Sequence, residues 1–432
     1  MEKDIFRKTL VVGMIVLFLG LAVASSTAVV PNIKNMANNE WASISFTNGK
    51  TIYVDDDNTE GPWDGTLEHP FRIIQDGINI ASSGDTVFVF SGMYECIVIN
   101  KTINLVGENK HDTVIHTTNC DPAVMISIDG SSVKKFTIKA DILCISMSSY
   151  HNNLISDNIL TGLNAHIGNS EMLPWDGIAL GSSTYNIISD NAIMDRGNGI
   201  VFQGSSNNII FGNVITNCAV GIFFEWWCNN NTILRNKITG SAYWGLKITE
   251  SSNSNIIYHN NFINNNPNAY DECINIWDDD YPSGGNYWDD YTGVDEDEDG
   301  IGDTPYNIPS GSSQDRYPLM EPYIFPKLEI FEVTSGIGVS ATIKNVGEGD
   351  ANDVRWNITF EGGLIVLPRK NADVIPTLAA NESVDIKMWV FGIGLGKLTD
   401  MPVITITANA PDSNTAEEMA IAKLLGPFVI LQ

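Results

Sequence analysis

The densest group of potential metal ligands in the 432-residue sequence is the acidic run at residues 295–303, Asp-Glu-Asp-Glu-Asp-Gly-Ile-Gly-Asp. Carboxylates stand at positions 1, 3, 5 and 9 of the run: Asp295, Asp297, Asp299 and Asp303. This spacing wraps oxygen ligands around Ca²⁺, and Gly300 at position 6 permits the sharp turn that such loops make. Position 12, where these loops place a bidentate glutamate, is Tyr306. The run predicts a calcium site, and an acidic linker without metal is the alternative.

A second group of candidate residues is aromatic and could bind a ligand by stacking: Trp226, Trp227, Trp244 and Trp277. Aromatic faces stack on sugar rings, while neighbouring carboxylates accept hydrogen bonds from sugar hydroxyls. Trp226 and Trp227 occupy a turn where neighbouring repeats carry Ser or Gly. The tryptophans predict a surface for glycans or surface polymers. The alternative is that they only cover the end of the folded repeats.

Carboxylates that could catalyse glycan cleavage are scattered along the sequence, and the weak candidates are Asp176, Glu225 and Asp278. Hydrolysis needs two or three carboxylates converging on one face, and elimination needs a base. Spacing alone does not bring these three together. Four Asn-x-Ser/Thr sequons would be glycan acceptors in an exported chain: Asn100, Asn230, Asn357 and Asn381.

Several of these candidate residues lie within a sequence repeat, whose fold determines their positions. The phrase Asn-x-Ile-x-x-Asn and its close variants recur, with the second asparagine at Asn158, Asn191, Asn213, Asn236 and Asn260. The steps are 33, 22, 23 and 24 residues, and a Gly-aliphatic phrase keeps the same period. Short β-branched runs without helical spacing favour strands wound into a coil. The Leu-x-x-Leu-x-Leu phrase of leucine-rich repeats is absent. A parallel β-helix is predicted, with inward isoleucine ladders and asparagine side-chain ladders at the turns.

The asparagines are interpreted as structural, in part because Asn tolerates the left-handed backbone of tight corners. The 33-residue step predicts one coil with an extra loop of about eleven residues around Ala165–Trp175. Upstream, residues 51–57, 70–81 and 85–90 read as strand, amphipathic helix and strand. The helix would cover the open end of the coil, whose unpaired edge is otherwise exposed.

The bulk composition restricts the partners. The sequence has 52 acidic and 24 basic residues, which give a net charge of −28. This charge repels nucleic acids and anionic membranes and favours the binding of cations. Six cysteines lack the CxxC spacing of a metal site. Most are interpreted as small buried apolar residues, and Cys218 with Cys228 is the first disulfide pair to test.

The N-terminal residues read as an export signal. Lys3, Arg7 and Lys8 precede an apolar run over residues 10–24, followed by small residues up to Ala28. Residues 1–28 are predicted to be a signal peptide, or an uncleaved N-terminal anchor as the alternative, and residues 29–49 a linker. The remainder is expected to be secreted or at the cell surface, outside the cytoplasm, touching a membrane only through the N-terminal segment if that stays uncleaved.

The strings YVDDDNTEGPWDGTLEHPFRIIQDGI, NKTINLVGEN, GGNYWDDYTG and DGIGDTPYNIP resemble the NosD-like right-handed β-helix surface proteins over residues 50–323. The resemblance implies a pectin-lyase-like solenoid, and the family is named after a copper-enzyme maturation factor. Copper needs clustered imidazole or soft ligands, whereas the six histidines are scattered, so a copper role is not expected. The same fold hosts polysaccharide lyases and hydrolases. Their signature motifs, such as the Asn-Thr-Asp and Gly-His-Gly phrases of polygalacturonases, are missing here.

Residues 327–432 differ from the repeat, with alternating strands that predict a small antiparallel β-sandwich. The segment ATIKNVGEGDA, residues 341–351, resembles the Ig-like modules called CARDB, which implies adhesion. The sequence predicts an exported all-β protein that binds glycans, surface polymers or an envelope protein. A polysaccharide lyase or glycoside hydrolase is the alternative function.

Overall fold

The computed structural model describes residues 49–117, 120–162, 176–395, 401–411 and 413–431. The predicted export segment, the linker up to residue 48 and the extra loop at Ala165–Trp175 lie outside the described residues. In the part of the chain that is described, no helix is long and apolar enough to cross a membrane.

Residues 51–288 form a solenoid of short strands. In chain order they are β1 Thr51–Val54, β2 Thr86–Val89, β3 Gly92–Tyr94, β4 Ile97–Ile99, β5 Asn104–Gly107, β6 Thr113–Thr117, β7 Val124–Ile126, β8 Ser132–Lys134, β9 Thr137–Ala140, β10 Leu143–Ser148, β11 Leu154–Ser156, β12 Ile159–Thr161, β13 Asp176–Gly181, β14 Ile187–Ser189, β15 Ala192–Met194, β16 Asn198–Gln203, β17 Ile209–Phe211, β18 Val214–Thr216, β19 Val220–Glu225, β20 Thr232–Leu234, β21 Lys237–Thr239, β22 Trp244–Ile248, β23 Ile256–Tyr258, β24 Asn261–Ile263, β25 Ala269–Asp271 and β26 Tyr287–Trp288.

These strands stack into three parallel sheets. Sheet I has the order β1-β2-β5-β8-β11-β14-β17-β20-β23, sheet II runs from β4 through β7, β10, β13, β16, β19 and β22 to β25, and sheet III has the order β3-β6-β9-β12-β15-β18-β21-β24-β26. From β2 to β25 each coil contributes one strand to each sheet, and every strand except those at the two ends is bonded to its equivalents in the preceding and following coils. The prediction of a right-handed parallel β-helix is confirmed.

The inside of the solenoid is a set of aliphatic ladders. In sheet I the paired residues Ile155, Ile188, Ile210, Ile233 and Ile257 are all fully buried. The 33-residue step does not break this stacking, because Ile155 pairs with Ile188 in register. The sheet I ladder therefore continues in register across the 33-residue step.

Two buried asparagine ladders follow the corners on either side of sheet I. The first contains Asn153, Asn186, Asn208, Asn231, Asn255 and Asn275, and the second contains Asn158, Asn191, Asn213, Asn236, Asn260 and Asn286. In each step the side-chain Nδ2 and the backbone N–H both donate to Oδ1 of the next asparagine. The predicted ladders are confirmed. The left-handed residues, however, precede the ladder members, as at Asp190 and Arg235 with φ of 58° and 55°.

Both ladders run in one direction and end on a carboxylate. Asn275 Nδ2 donates to Asp271 Oδ1 over 3.0 Å. In the second ladder, the backbone N–H of Asn286 donates to Asp315 Oδ2 over 2.7 Å. A carboxylate accepts without needing to donate, so it can terminate a chain of donors. Asp315 belongs to the hairpin of β27 Tyr306–Asn307 and β28 Gln314–Asp315, which folds over the last coil.

The first coil is covered by α1 Ile74–Ile80, which packs on β1, β2 and β4. Its buried residues are Ile74, Gly77 and Ile78, and a Cβ on Gly77 would lie 2.9 Å from the Val54 side chain. The predicted cap is confirmed. The helix begins later than residue 70 because Phe71 forms a parallel bridge with Val54.

The cysteine pairing differs from the expected one. The disulfide joins Cys96 and Cys120, one coil apart, whereas Cys218 and Cys228 are free and buried. The pairing of Cys218 with Cys228 is wrong because β19 lies between them, and its six residues span about 20 Å, far beyond the roughly 7 Å Cα separation that a disulfide bridges. Cys144 and Cys273 are also buried and free, as expected for small apolar residues.

The C-terminal region is antiparallel. Its strands are β29 Leu328–Gly336, β30 Gly338–Asn345, β31 Ala351–Glu361, β32 Leu364–Leu367, β33 Lys370–Leu378, β34 Ser383–Met388, β35 Phe391–Gly394, β36 Val403–Asn409, β37 Thr415–Gly426 and β38 Phe428–Leu431. A sheet of order β29-β30-β34 faces a larger sheet of order β32-β35-β37-β36-β31-β33, with β38 added to β37. A separate buried cluster that includes Leu328, Ile358 and Ile404 fills the interior, and the predicted sandwich is confirmed.

The sandwich rests on sheet I. Ile421 of β37 packs with Tyr53, Phe88 and Val106, which lie on β1, β2 and β5. Further along sheet I, the Lys134 Nζ lies 2.5 Å from the Glu417 carboxylate. Sheet II therefore keeps an outer face that this contact does not use.

Candidate functional site

The candidate site is the outer face of sheet II in its last coils. Residues alternate along a strand, so Ile222 and Phe224 of β19 point into the core while Phe223 points outward. The parallel register places one outward row across five strands: Ala179, Val201, Phe223, Lys247 and Tyr270. Along this row the side chains grow from small to large towards the C-terminal coils.

Lys247 lies at the centre of an aromatic cluster. Its Nζ is 4.3 Å from the ring centroid of Trp244, 4.9 Å from that of Phe223 and 5.8 Å from that of Tyr270. Trp244 also meets Tyr270 edge to face at 6.0 Å. Cation–π attraction holds such rings in fixed orientations around the ammonium group. The cluster is thus a preformed aromatic surface rather than a set of independent side chains.

Trp226 and Trp227 follow directly after β19, at the other end of the strand from Trp244. Their side chains are 45% and 66% exposed, and both residues have φ of 57°. The register aligns Trp226 with Gly204 of the preceding coil, whose φ is 59°. A bulky residue in the left-handed region costs roughly 1–2 kcal/mol. The left-handed backbone and the exposed apolar rings of these two tryptophans both lower the stability of the fold. Residues that cost stability in this way cluster at functional sites.

Polar groups border the rings. Glu225 accepts a hydrogen bond from Gln203 Nε2 over 2.9 Å. Glu272 accepts from the backbone N–H of Glu250 over 3.0 Å and from the Tyr270 hydroxyl over 3.2 Å. Amide and carboxylate groups fixed in this way beside aromatic rings can bind the hydroxyls of a sugar. We call the surface formed by Phe223, Trp226, Trp227, Trp244, Lys247 and Tyr270 the aromatic face.

Trp277 does not belong to the aromatic face, which corrects its assignment as a ligand-binding residue. Its side chain is 0% exposed, and its Nε1 donates to Asp271 Oδ2 over 2.9 Å. The residue lies in the core near Trp288, with ring centroids 5.7 Å apart. A side chain without exposed surface cannot stack on an external ring, so Trp277 closes the end of the solenoid.

The three candidate catalytic carboxylates do not converge. Asp176 begins β13 and accepts from Asn198 Nδ2 over 2.7 Å, and burial raises its pKa. Glu225 ends β19, so the two lie about 16 Å apart along the strands and about 10 Å across them. Asp278 is buried and bound by both Nε and Nη2 of Arg316. Paired glycosidase carboxylates lie within roughly 5–10 Å of each other, and this arrangement is not of that kind.

The acidic run forms a loop whose carboxylates approach one another. Oxygens of Asp295, Asp297 and Asp299 lie within 4.8 Å of each other. Backbone N–H groups of Asp299 and Gly300 donate to the Asp295 carboxylate, which curls the loop around it. Repulsion from Asp299 raises the pKa of Asp297, and a cation would relieve this repulsion. Asp303 instead accepts from the backbone N–H of Glu296 over 2.7 Å.

The four sequons differ in accessibility. Asn100, Asn230 and Asn381 are exposed, and Asn231, not Asn230, occupies the buried ladder. Asn357 is half-buried, and its Nδ2 donates to Thr407 Oγ1 over 2.6 Å. The amide nitrogen that would carry a glycan is therefore engaged at Asn357 and accessible at the other three.

Sequence reasoning missed Phe223, Lys247 and Tyr270. The sequence contains a signal for the first two, because both stand two residues after the recurring glycines, Gly221 and Gly245. In earlier coils the same position carries alanine or valine. If the second residue after each recurring glycine had been taken as facing outward, the change from small residues to Phe223 and Lys247 would have been visible in the sequence. Tyr270 could be added only from the pairing of β22 with β25.

The fold and this face define a right-handed parallel β-helix protein with an antiparallel sandwich at its C-terminus. The family model described as periplasmic copper-binding protein (NosD) matches residues 78–293, half of the sequence, and the chain belongs to this family. No curated protein sequence matches the chain.

Solved structures with a similar fold include pectate lyase Pel9A, with 12% identity and a TM-score of 0.40 over 56% of this chain and 74% of that one. The enzymatically active domain of tailspike protein 2 of bacteriophage CBA120 has 10% identity and a TM-score of 0.37, covering 89% of this chain and 76% of that chain. XylC in complex with xylose has 14% identity and a TM-score of 0.37, and the match covers 55% of this chain and 68% of that chain. At these identities the likeness concerns the fold alone.

The family description mentions copper, and whether the chain can hold this ion depends on the ligands present among the described residues. There, the one group of three or more candidate ligands is the carboxylate set at Asp295, Asp297 and Asp299. Carboxylate oxygens suit Ca²⁺ or Mg²⁺, whereas copper sites use imidazole or sulfur. The free cysteines are separately buried in the core. These residues do not fit a copper site, and no step through copper is derived.

Proposed function

We propose that this protein is an extracytoplasmic binding protein that holds a carbohydrate polymer on its aromatic face without cleaving it. The observation that carries the proposal is the exposure of Trp226 and Trp227 directly after β19, whose Phe223 forms a ring cluster around Lys247 together with Trp244. The export signal predicted from the N-terminal sequence and the family description support a location outside the cytoplasm.

The extent of the face favours a polymer over a single sugar. Trp244 stands at the start of β22, and Trp226 follows the end of the neighbouring β19. A six-residue strand separates these positions by about 20 Å. Phe223, Lys247 and Tyr270 fill the interval, so several consecutive sugar rings can find stacking partners. Fixed rings limit the entropy that is lost when the ligand binds.

Binding rather than cleavage follows from the placement of the acids. Glu225 borders the face, but Asp176 lies at the opposite strand end and Asp278 is held by Arg316. Of the three candidates, the face therefore offers only Glu225, which accepts a hydrogen bond from Gln203. Glu272, which also borders the rings, accepts from the backbone N–H of Glu250 and from the Tyr270 hydroxyl. Polysaccharide lyase or hydrolase activity remains the competing function, and the experiment below distinguishes it.

We also propose that the loop at Asp295, Asp297 and Asp299 binds Ca²⁺ as a structural ion. Ile301, at position 7 of the loop, bridges Leu319 and is nearly buried, so an ion held here would join the loop to the segment that follows the last coil. The resemblance to CARDB modules supports an adhesive role for the sandwich, which together with the solenoid would attach the protein to an envelope polymer.

The test is retention on a panel of neutral, anionic and cationic polysaccharides by affinity electrophoresis, with calcium. Trp226→Ala and Trp227→Ala should each reduce retention about fivefold or more, since a stacked ring contributes on the order of 1–3 kcal/mol, the range found for bases on aromatic side chains. Tyr185→Ala is the matched control, because Tyr185 is also an exposed aromatic residue at positive φ, but on a corner beside sheet I. Equal retention of the wild type and both tryptophan variants would refute the aromatic face. New reducing ends or unsaturated products that disappear in Glu225→Gln would show an enzyme instead.

A further inference from the structure

The sandwich carries an apolar surface that the solenoid does not cover. Its members are large hydrophobic residues with exposures between 39% and 64%: Ile337, Leu364, Leu367, Trp389, Phe391, Ile393, Leu425, Phe428 and Ile430. Single exposed hydrophobic residues are common, but a contiguous group of this size on a monomer marks an interaction surface. We call this group the apolar tip.

The strand register shows that the apolar tip is continuous. Leu364 pairs with Ile393, Ile393 with Leu425, and Leu425 with Phe428, so these four form one row across β32, β35, β37 and β38. Phe391 pairs with Leu367 in the adjacent row. A bridge between Ile337 and Phe428 extends the surface onto the hairpin of β29 and β30. The tip is therefore one apolar face and not a set of scattered side chains.

The strand segments that build the tip carry basic side chains, and acidic residues border them at Glu361, Asp385 and Glu418. The segments that build it, residues 336–340, 362–370, 386–395 and 419–431, contain Arg369, Lys370, Lys387 and Lys423 and no acidic residue. Lys387 Nζ lies 4.6 Å from the ring centroid of Trp389. In a chain with 52 acidic and 24 basic residues, four cations within these segments make the tip itself more basic than the rest of the chain. This local excess of cations predicts an anionic partner.

The tip lies towards the N-terminal end of the solenoid. Glu417 of β37 meets Lys134 on β8, and Ile421 packs on Tyr53 and its neighbours on the first strands of sheet I. β37 therefore runs across sheet I from β8 towards β1, and its later residues Lys423 and Leu425 lie nearer to the β1 edge. The described chain begins at Gly49, two residues before β1. The described chain therefore starts at the same edge of the solenoid towards which the tip points.

We propose that the apolar tip docks on an anionic lipid surface. Trp and Phe side chains partition into the region between headgroups and acyl chains, and Lys and Arg beside them bind anionic headgroups. The net charge of −28 opposes approach to such a surface, but charges farther away than the Debye length of about 8–10 Å are largely screened. The local cations therefore decide the binding.

A second copy of the chain fits the tip less well. A symmetric dimer would place the same surface on both sides of the interface. Arg369, Lys370, Lys387 and Lys423 would then oppose their own equivalents, without acidic residues in the same segments to pair with them. Like charges facing each other across an interface oppose association. Anionic lipid headgroups supply the missing charge.

The experiment places a polarity-sensitive fluorophore on the tip of the full-length chain through Phe428→Cys, and on sheet III through Val214→Cys as the matched control. Val214 is also an exposed apolar residue, and the free native cysteines are buried. Both proteins are mixed with vesicles of phosphatidylcholine with or without phosphatidylglycerol, each containing brominated lipid. The label at position 428 should shift to shorter wavelength and be quenched on the anionic vesicles, while the label at position 214 should not respond. Because the readout is local, insertion of the N-terminal run alone does not produce it.

A charge-reversed chain tests the electrostatic part. Lys370→Glu combined with Lys423→Glu should weaken the quenching response by roughly 25-fold or more, since each removed cation lowers partitioning about fivefold. No quenching at position 428 on anionic vesicles would overturn the proposal, and so would equal quenching on pure phosphatidylcholine. A short-wavelength emission at position 428 without vesicles would show that another part of the chain, or a second copy, already covers the tip.

Discussion

Replacement of Asn213 by alanine tests the idea that the asparagine ladders hold the coils in register. Asn213 lies in the middle of the second ladder and is fully buried. Its Oδ1 accepts from both the backbone N–H and the Nδ2 of Asn191, each over 3.0 Å. Its own Nδ2 donates to the carbonyl oxygens of Ile188 and Phe211 and to Asn236 Oδ1. One side chain thus satisfies groups in three consecutive coils.

The expected loss follows from the groups left without partners. Alanine removes the acceptor of two buried donors on Asn191, and each unsatisfied buried donor costs about 1–3 kcal/mol. We expect Asn213→Ala to lower the free energy of unfolding by about 4 kcal/mol, a large fraction of the roughly 5–15 kcal/mol of an ordinary domain. Asn213→Asp should be at least as harmful, because it would bury a carboxylate against the oxygens of Ile188, Phe211 and Asn236 that now accept from Nδ2. At the ladder end, Asp315 meets only N–H donors.

Guanidinium unfolding followed by tryptophan fluorescence measures the change, and hydrogen exchange shows whether the opening is confined to the neighbouring coils. Asn217→Ala is the control. Asn217 lies on the same coil but is exposed with φ of 54°, so its replacement should cost only about 1 kcal/mol. If Asn213→Ala and Asn217→Ala have the same midpoint, or if Asn213→Asp is as stable as the wild type, the ladder does not carry the stability assigned to it.

Three further results are expected. Calcium at a hundred times its dissociation constant should stabilise the protein by about 2.7 kcal/mol, and Asp297→Asn with Asp299→Asn should abolish the rise in melting temperature. Burial raises the pKa of Asp315 to about 7. An acid that holds its proton more tightly when folded contributes most stability below its unfolded pKa of about 3.9, and this stability falls as the pH rises through the folded pKa. Raising the pH from 4 to 7 should therefore cost about 3 kcal/mol. Cys96→Ser should cost about 3 kcal/mol through loss of the disulfide with Cys120.

Each of these has its own control. Glu348→Gln with Glu361→Gln removes two exposed acids elsewhere and should leave the calcium response unchanged; a calcium response that survives in the Asp297 and Asp299 variant refutes the site. The dependence of unfolding on pH between 4 and 7 should flatten in Asp315→Asn, and an identical pH profile would contradict the role of Asp315. Reducing agent should lower the melting temperature of the wild type but not that of Cys96→Ser.

Much of the solenoid was predictable because its information is periodic. A repeat of 22 to 24 residues cannot bury its apolar residues alone, so equivalent positions must stack, and stacking aligns Asn191 with Asn213 and Asn236. The same reasoning identified the covering helix and the exposed turn at Trp226. The family resemblance added the handedness of the coil. The sandwich was visible in the alternating pattern of its strands.

The misplaced residues are those whose environment depends on contacts outside the repeat. Trp277 looked like its exposed neighbours in sequence, yet the hairpin containing Asp315 folds over the last coil and helps bury it. Cys218 and Cys228 are close in sequence, but the extended strand between them keeps them apart, whereas Cys96 and Cys120 meet because one coil brings the chain back. Asp278 appeared to be a free acid until Arg316 was found beside it.

The sequence by itself therefore determined the coil, its ladders, its cap and the loop with calcium spacing, because periodicity and local turn chemistry suffice for these. The tertiary structure alone decided which outward residues share a surface. Phe223, Lys247 and Tyr270 are far apart in sequence and meet only through the parallel register of β19, β22 and β25. The apolar tip likewise requires the antiparallel pairing of strands as distant as β32 and β38. Binding surfaces of this kind depend on which strands are neighbours, and that choice is made by the packing of the whole chain.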